Sequence, residues 1–177
     1  MTLTKTTKIM HGIVALGMIS LIAVGLYMSK TETFSLYSIH KSFGMIVLVF
    51  ALYRIINRIK EGWPTPVGTA SAIQLLAAKL VHWGLIISTV LYPISGMMMS
   101  GAGGRGLYVF GIELLAMNKD AVTGKVVALN ADIAGLGHEL HKGLVWIVIG
   151  LIIAHVVGAL KHHFVDKDET VKRMFSK

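Results

Sequence analysis

Histidines are the residues of this sequence best suited to bind a metal or to carry a proton. The chain has eight, and five lie in "GHELHKGLVWIVIGLIIAHVVGALKHHF", residues 137–164. His155 stands inside an apolar run, where an ionisable group is costly and usually functional. His141 precedes it by 14 positions. At about 100° and 1.5 Å per residue, both imidazoles point to one helix face, about 21 Å apart along the axis.

Two further histidines lie at matching levels on the first two apolar segments. His11 enters the first segment near one membrane surface, and His40 lies near the other surface on the second. The pattern predicts an inner pair, His11 with His155, and an outer pair, His40 with His141. Opposed neutral imidazoles in apolar surroundings are what bis-histidine ligation of haem b requires. The spacing therefore predicts two haem b groups, whereas a polar packing role is the rival interpretation for a single histidine.

Small and cationic residues accompany these histidines. Four glycines lie where a flat macrocycle would need room, although glycines also let helices approach closely: Gly12, Gly44, Gly143 and Gly150. Arg54 follows His40 by 14 positions, so it lies on the same helix face at the inner level. We expect Arg54 to pair with a haem propionate or a quinone carbonyl, or else to anchor the helix end as a positive charge.

Two more sets of polar residues are predicted at the membrane surfaces. On the outer side, Arg105 and His138 are candidate propionate contacts. His138 is turned about 100° from the face of His155, which makes it a weaker ligand candidate than His141. On the inner side, four residues are predicted to form a quinone pocket, with interfacial lipid contact as the alternative: His82, His162, Lys79 and Lys161.

Membrane-spanning helices must position these residues. Hydrophobic residues make up 54% of the chain and charged residues 15%, against about a quarter charged in soluble domains. Four apolar segments each approach the roughly 20 residues that cross a bilayer, and backbone groups in hydrocarbon satisfy one another as helices. The predicted fold class is an all-α, transmembrane four-helix bundle. We predict one domain over residues 1–177, with helices at about 8–29, 35–58, 72–100 and 134–163.

Basic residues predict the orientation of the bundle. Residues 1–10, 54–79 and 161–177 together hold 11 of the 17 lysines and arginines. The positive-inside rule then places both termini in the cytoplasm. On the opposite side, "LYVFGIELLA" is predicted to form a short interfacial helix or a hydrophobic flap, and Asp132 is predicted to cap the last helix.

Composition also excludes several classes of protein. The basic residues flank the apolar segments and form no interleaved basic and aromatic face, so we expect no nucleic-acid partner. The chain has no cysteine. It therefore has no disulfides, no iron–sulfur ligation by thiolate and no covalent haem attached through C-x-x-C-H.

Several stretches of the chain carry a family resemblance. They are "IMHGIVALGMI", "IHKSFGMIVLVFALYRIINRI", the "PTP" loop and "AAKLVHWGLIISTVLYPISGMMMSGAGG". The last block is specific, with two histidines fourteen positions apart followed by "LKHHFVDKDETVKRM". The chain resembles the bacterial cytochrome b561 family of di-haem membrane cytochromes, although many members have tryptophan where Gly12 stands. The resemblance implies haem ligands at His11, His40, His141 and His155, and a multi-pass protein of the bacterial inner membrane.

The resemblance also implies a function. Family members move single electrons between a membrane quinone, such as ubiquinone, and a partner, and one such activity is the oxidation of superoxide at the outer face. The alternative is a cytochrome b anchor and electron conduit of a larger respiratory dehydrogenase or hydrogenase complex, with a redox partner protein. Membrane lipid is the remaining expected partner. A third class, a non-redox bundle with histidine proton relays, stays open from the residues alone.

Overall fold

Four long helices dominate the computed structural model, which describes residues 3–65, 67 and 70–175. They are α1 (Lys5–Thr31), α2 (Tyr37–Glu61), α3 (Ala72–Ala102) and α4 (Ala131–Phe164). A 3₁₀ turn at Phe34–Leu36 joins α1 to α2, and a short helix α5 (Lys172–Phe175) follows α4. All four long helices are long and apolar enough to cross a membrane. The prediction of an all-α, transmembrane four-helix bundle is confirmed.

Polar residues cap α3 and α4 at their amino ends. Ser71 and Gln74 form a reciprocal capping box at the start of α3. Asn130 caps α4, because its side-chain oxygen accepts a hydrogen bond from the Ile133 N–H at 3.0 Å. The prediction that Asp132 caps α4 is therefore wrong. Asp132 lies in the first turn of the helix, where its negative charge complements the helix dipole.

A carboxylate ties the beginning of α1 to the end of α2. The side chain of Glu61 accepts hydrogen bonds of 2.6 Å from the hydroxyls of both Thr4 and Thr7. Asn57, one turn earlier on α2, donates to the same carboxylate at 2.8 Å. These bonds hold α1 and α2 together at the end of the bundle where the inner pair lies.

A β-hairpin, and not an interfacial helix, follows α3. Strands β1 (Leu107–Val109) and β2 (Ile112–Leu115) pair antiparallel. Phe110 and Gly111 both have positive φ angles, 48° and 89°, as a two-residue type I′ turn requires. Of the two alternatives predicted for "LYVFGIELLA", the interfacial helix is therefore wrong. Hydrogen bonds between the two antiparallel strands satisfy the backbone groups of this segment instead.

The hairpin is held against α2 by one buried serine. The Ser42 hydroxyl accepts the N–H of Phe110 at 2.9 Å and lies 3.4 Å from the Tyr108 carbonyl. Beside it, the rings of Phe43 and Phe110 pack edge to face at 5.1 Å. Because Phe43 is only three residues from His40, the hairpin covers the outer end of α2.

We expect Ser42→Val to release the hairpin. The change leaves the Phe110 N–H without its acceptor, and the loss of such a hydrogen bond costs about 0.5–1.5 kcal/mol. Limited proteolysis of the protein in detergent should cleave residues 103–129 faster than in the wild type. Ser38→Val changes an exposed serine one turn earlier on α2; it is the matched control and should leave the cleavage rate unchanged. Equal cleavage of the two variants would contradict this role.

Candidate functional site

The structure brings the four candidate ligand histidines together as two pairs. The ring centroids of His11 on α1 and His155 on α4 lie 6.1 Å apart, with the rings tilted by 58°. Those of His40 on α2 and His141 on α4 lie 6.4 Å apart, nearly perpendicular at 88°. Helix α4 thus contributes one imidazole to each pair.

These separations fit one metal ion between each pair of rings. An imidazole nitrogen lies about 2 Å from a transition metal that it ligates, and its ring centroid about 1 Å further back, so two imidazoles on opposite sides of one metal have centroids about 6 Å apart. The observed 6.1 and 6.4 Å agree with this value. Imidazoles in direct van der Waals contact would lie closer together. The donor set, two neutral nitrogens in apolar surroundings, is suited to haem iron.

Helix α3 fixes the orientation of His141. Its Nδ1 lies 3.0 Å from the Tyr92 carbonyl oxygen and 2.9 Å from the Ser95 hydroxyl. The Ser95 hydroxyl donates to the same carbonyl at 2.7 Å, so His141 Nδ1 is the donor in both contacts. This tautomer leaves the lone pair of Nε2 free for a metal, as second-shell acceptors do for ligating histidines.

A stacked tyrosine ring and a glycine complete the surroundings of the His141 side chain. The Tyr92 and His141 rings stack at 4.2 Å, only 8° from parallel. A Cβ at Gly96 would lie 3.1 Å from His141 Cε1, so the missing side chain makes room for the ring. Sequence reasoning did not single out Tyr92, Ser95 or Gly96. The available signal was "YPISG", where a proline lies inside an apolar helix close to two small residues.

His40 has an unsatisfied nitrogen and adjoins an open space. Its Nδ1 is buried and finds no hydrogen-bond partner in the described part of the chain. A Cβ at Gly25 of α1 would lie 3.3 Å from its ring. An apolar cavity of about 390 Å³ opens beside it between α1 and α2. An orphaned buried nitrogen next to an apolar cavity fits a site for a flat macrocycle. The lining residues are Leu16, Gly17, Ser20, Leu21, Val24, Ile39, His40, Phe43 and Val47.

The inner pair has a cation and a third imidazole beside it. Arg54 of α2 places Nη2 3.3 Å from His11 Nδ1. His82 of α3 packs edge to face against His155, with ring centroids 5.2 Å apart. Four polar side chains from four different helices therefore meet at the inner level.

The four residues predicted as a quinone pocket do not share one set of contacts. His82 lies against His155, whereas His162 binds Asp168 at 2.7 Å in the turn after α4. Lys161 pairs with Asp166 at 2.6 Å, and Lys79 is exposed. Partial desolvation raises the pKa of Asp168, but hydrogen bonds from Thr170 and His162 outweigh it and bring that pKa below its ordinary value.

The outer candidates Arg105 and His138 are both exposed. The His138 ring lies 4.0 Å from the carboxylate of Glu139. Neither candidate hydrogen-bonds to His40 or His141 among the residues that the structure describes. Nearer to the bundle, the Lys41 ammonium donates to the Ser100 hydroxyl at 3.2 Å.

Different glycines turn out to lie in the helix contacts. A Cβ at Gly12, Gly44, Gly143 or Gly150 would meet no atom within 4 Å, so these four do not bring helices together. Close contacts occur at Gly17, whose added Cβ would lie 2.6 Å from the Val47 side chain, and at Gly84, whose added Cβ would lie 3.0 Å from the Leu151 side chain. At Gly137 an added Cβ would overlap the α3 backbone.

Known proteins are similar to this sequence over most of its length. Residues 2–177 match the family described as prokaryotic cytochrome b561. Cytochrome b561 homolog 2 of Escherichia coli (strain K12) is 34% identical, covering 94% of this chain and 87% of the relative. Homolog 1 of the same organism is 30% identical, over 76% of this chain and 72% of the relative. The probable superoxide oxidase CybB of Yersinia pestis is 30% identical, over 78% and 74%. The chain therefore belongs to the prokaryotic cytochrome b561 family, as a multi-pass bacterial membrane protein that binds haem and transfers electrons.

Proposed function

We propose that this protein is a di-haem b cytochrome of the inner membrane that passes single electrons from its outer face to a quinone on the cytoplasmic side. The observation that carries the proposal is the pair of imidazole separations, 6.1 and 6.4 Å, at two levels of one bundle. Each bound haem supplies an iron centre that alternates between two oxidation states. His11 with His155 would hold the inner one, and His40 with His141 the outer one.

The surrounding residues prepare these four ligands. The Tyr92 carbonyl and Ser95 hold the His141 ring in one tautomer. The apolar bundle excludes water, which keeps the imidazoles neutral and able to ligate. His141 and His155 share one rigid helix, which fixes the distance between the two levels at about 21 Å along the axis.

We place the quinone near His82 on the cytoplasmic side. This orientation rests on the excess of lysine and arginine at that end of the bundle. His82 adjoins the inner pair, and a neutral imidazole can accept a proton on one ring nitrogen and release one from the other. Quinone reduction needs two electrons and two protons, so a proton carrier beside the inner pair suits the reaction. His162 and Lys161, bound to carboxylates, would have to leave those partners to join the pocket.

Superoxide is the electron donor that we favour. A relative at 30% identity is named a probable superoxide oxidase, and Lys41 and Arg105 give the outer end of this chain positive charge that attracts an anion. In the complete reaction, two superoxide anions and two protons convert one quinone to quinol and yield two molecules of O₂. Each superoxide loses one electron, which matches a one-electron carrier.

A conduit subunit of a larger respiratory complex is the second candidate. The observation that favours it is strand β2, in which all four residues are exposed. Ile112 and Leu114 are 68% and 61% exposed, and an apolar edge strand is a surface on which another chain can pair. Family membership disfavours the third class, a non-redox transporter, because the family binds haem.

The haem content of the purified protein tests the proposal. We expect two haems b per chain by the pyridine haemochrome assay, both reducible by dithionite. With ubiquinone added, superoxide should reduce the quinone at a rate proportional to the concentration of the isolated protein. One haem per chain, or none after expression with ample haem, would refute the di-haem assignment. Two haems without superoxide-dependent quinone reduction, together with a co-purifying dehydrogenase, would favour the conduit role.

A further inference from the structure

The inner and outer pairs differ in the group that faces the second ring nitrogen. At the outer pair, His141 Nδ1 faces the Tyr92 carbonyl at 3.0 Å. A carbonyl only accepts, so this nitrogen donates. At the inner pair, His11 Nδ1 faces the Arg54 guanidinium at 3.3 Å. A guanidinium carries a permanent positive charge. The two candidate haem sites therefore have groups of opposite polarity beside their ligands, a carbonyl oxygen at the outer pair and a cation at the inner pair.

That polarity bears on the redox potential of a metal held by each pair. An imidazole that donates its second N–H to a carbonyl is a more basic ligand, and a more basic ligand stabilises the more positive, oxidised metal. A cation beside the ligand acts in the opposite direction. It repels the oxidised metal more than the reduced one, and the repulsion is strong in a low-dielectric interior.

No carboxylate among the described residues pairs with Arg54. Its guanidinium has one hydrogen-bond partner there, His11. Arg58, one turn further along α2, pairs with Glu61 at 3.4 Å.

Among the described residues, no lysine or arginine side chain hydrogen-bonds to a ring of the outer pair. Lys41 follows His40 directly, but its ammonium is directed to the Ser100 hydroxyl.

We propose that Arg54 is a positioning residue that gives the inner haem the higher potential, so that an electron entering at the outer pair comes to rest beside the quinone. This inference depends on the two-haem function proposed above. If His11 held the iron through Nε2, its Nδ1 would carry the proton and Arg54 would turn to another acceptor. Its charge would stay at the inner level, because the half-buried side chain starts from a fixed position on α2.

Redox titration of the purified holoprotein, followed by its visible spectrum, tests this inference. We expect two one-electron steps in the wild type. The step at higher potential should be missing from His155→Ala, which keeps only the outer haem, and present in His40→Ala, which keeps only the inner one. In Arg54→Gln the inner step should fall by about 59 mV, which is a tenfold change in the reduction equilibrium of a one-electron couple. The outer step should not move.

Two further variants separate charge from structure. Arg54→Lys keeps the charge and should keep the inner potential close to that of the wild type, even if Arg54→Gln folds poorly. Arg58→Gln removes a cation already paired with Glu61 and should move neither step. A higher potential at the outer haem, or an equal fall in Arg54→Lys and Arg54→Gln, would overturn the proposal while two haems remain bound. Failure of the two-haem function would instead appear as a wrong haem count in the wild type.

Discussion

His155→Ala should bind one haem per chain where the wild type binds two. The variant removes the α4 ligand of the inner pair, and an axial position without its imidazole leaves that haem held by His11 alone. The outer pair shares no ligand with the inner one and lies about 21 Å away along α4. The pyridine haemochrome assay should give half of the wild-type haem content, and the remaining haem should retain the spectrum of bis-histidine coordination.

His82→Ala is the control that distinguishes His155 from His82 as the haem ligand. The His82 ring lies 5.2 Å from His155, so α3 also offers an imidazole to the inner level. If His155 is the ligand, His82→Ala keeps both haems, and its effect is confined to quinone reduction. If His82→Ala loses a haem and His155→Ala keeps both, the pairing across α1 and α4 is wrong. Loss of both haems in His155→Ala would also contradict the assignment, because it would show that the two sites are not independent.

Gly137→Ala should destabilise the bundle and displace the outer haem. A Cβ at this position would lie 2.6 Å from the Met99 nitrogen and 2.9 Å from the Ser95 carbonyl oxygen. Both are backbone atoms of α3, which cannot rotate away, so α3 and α4 must separate. Overpacking of this kind costs about 1–3 kcal/mol. His141 lies one turn further along the same face of α4, and separation of the helices breaks its bond to Tyr92.

Gly135→Ala is the matched control for this second variant. It makes the same change two residues earlier, where an added Cβ meets no atom within 4 Å. Both changes raise helix propensity by about 1 kcal/mol, so their difference isolates the contact with α3. We expect a lower unfolding midpoint and less outer haem in Gly137→Ala, measured in the His155→Ala background so that the only haem band is the outer one. Similar midpoints and haem contents in the two variants would contradict this prediction, because they would show that α3 moves aside for the added Cβ.

The amino-acid sequence alone was enough to predict the four helices and which of their residues share a face. A bilayer forces a chain to satisfy its backbone internally, so length and apolar character were enough to predict the helices. A helix repeats its direction at a fixed angle per residue, so the 14 positions between His141 and His155 placed both on one face. Neither inference needs to know which helix neighbours which.

The surroundings of each histidine became visible only in the folded structure. The bond from His141 to the Tyr92 carbonyl and the contact of Arg54 with His11 each join residues more than forty positions apart. Such contacts depend on how far each helix is rotated and shifted against its neighbours, which is set by the packing of whole faces. The same reason explains the glycines. Gly137 and Gly143 have the same intrinsic freedom, but α3 passes close to only one of them.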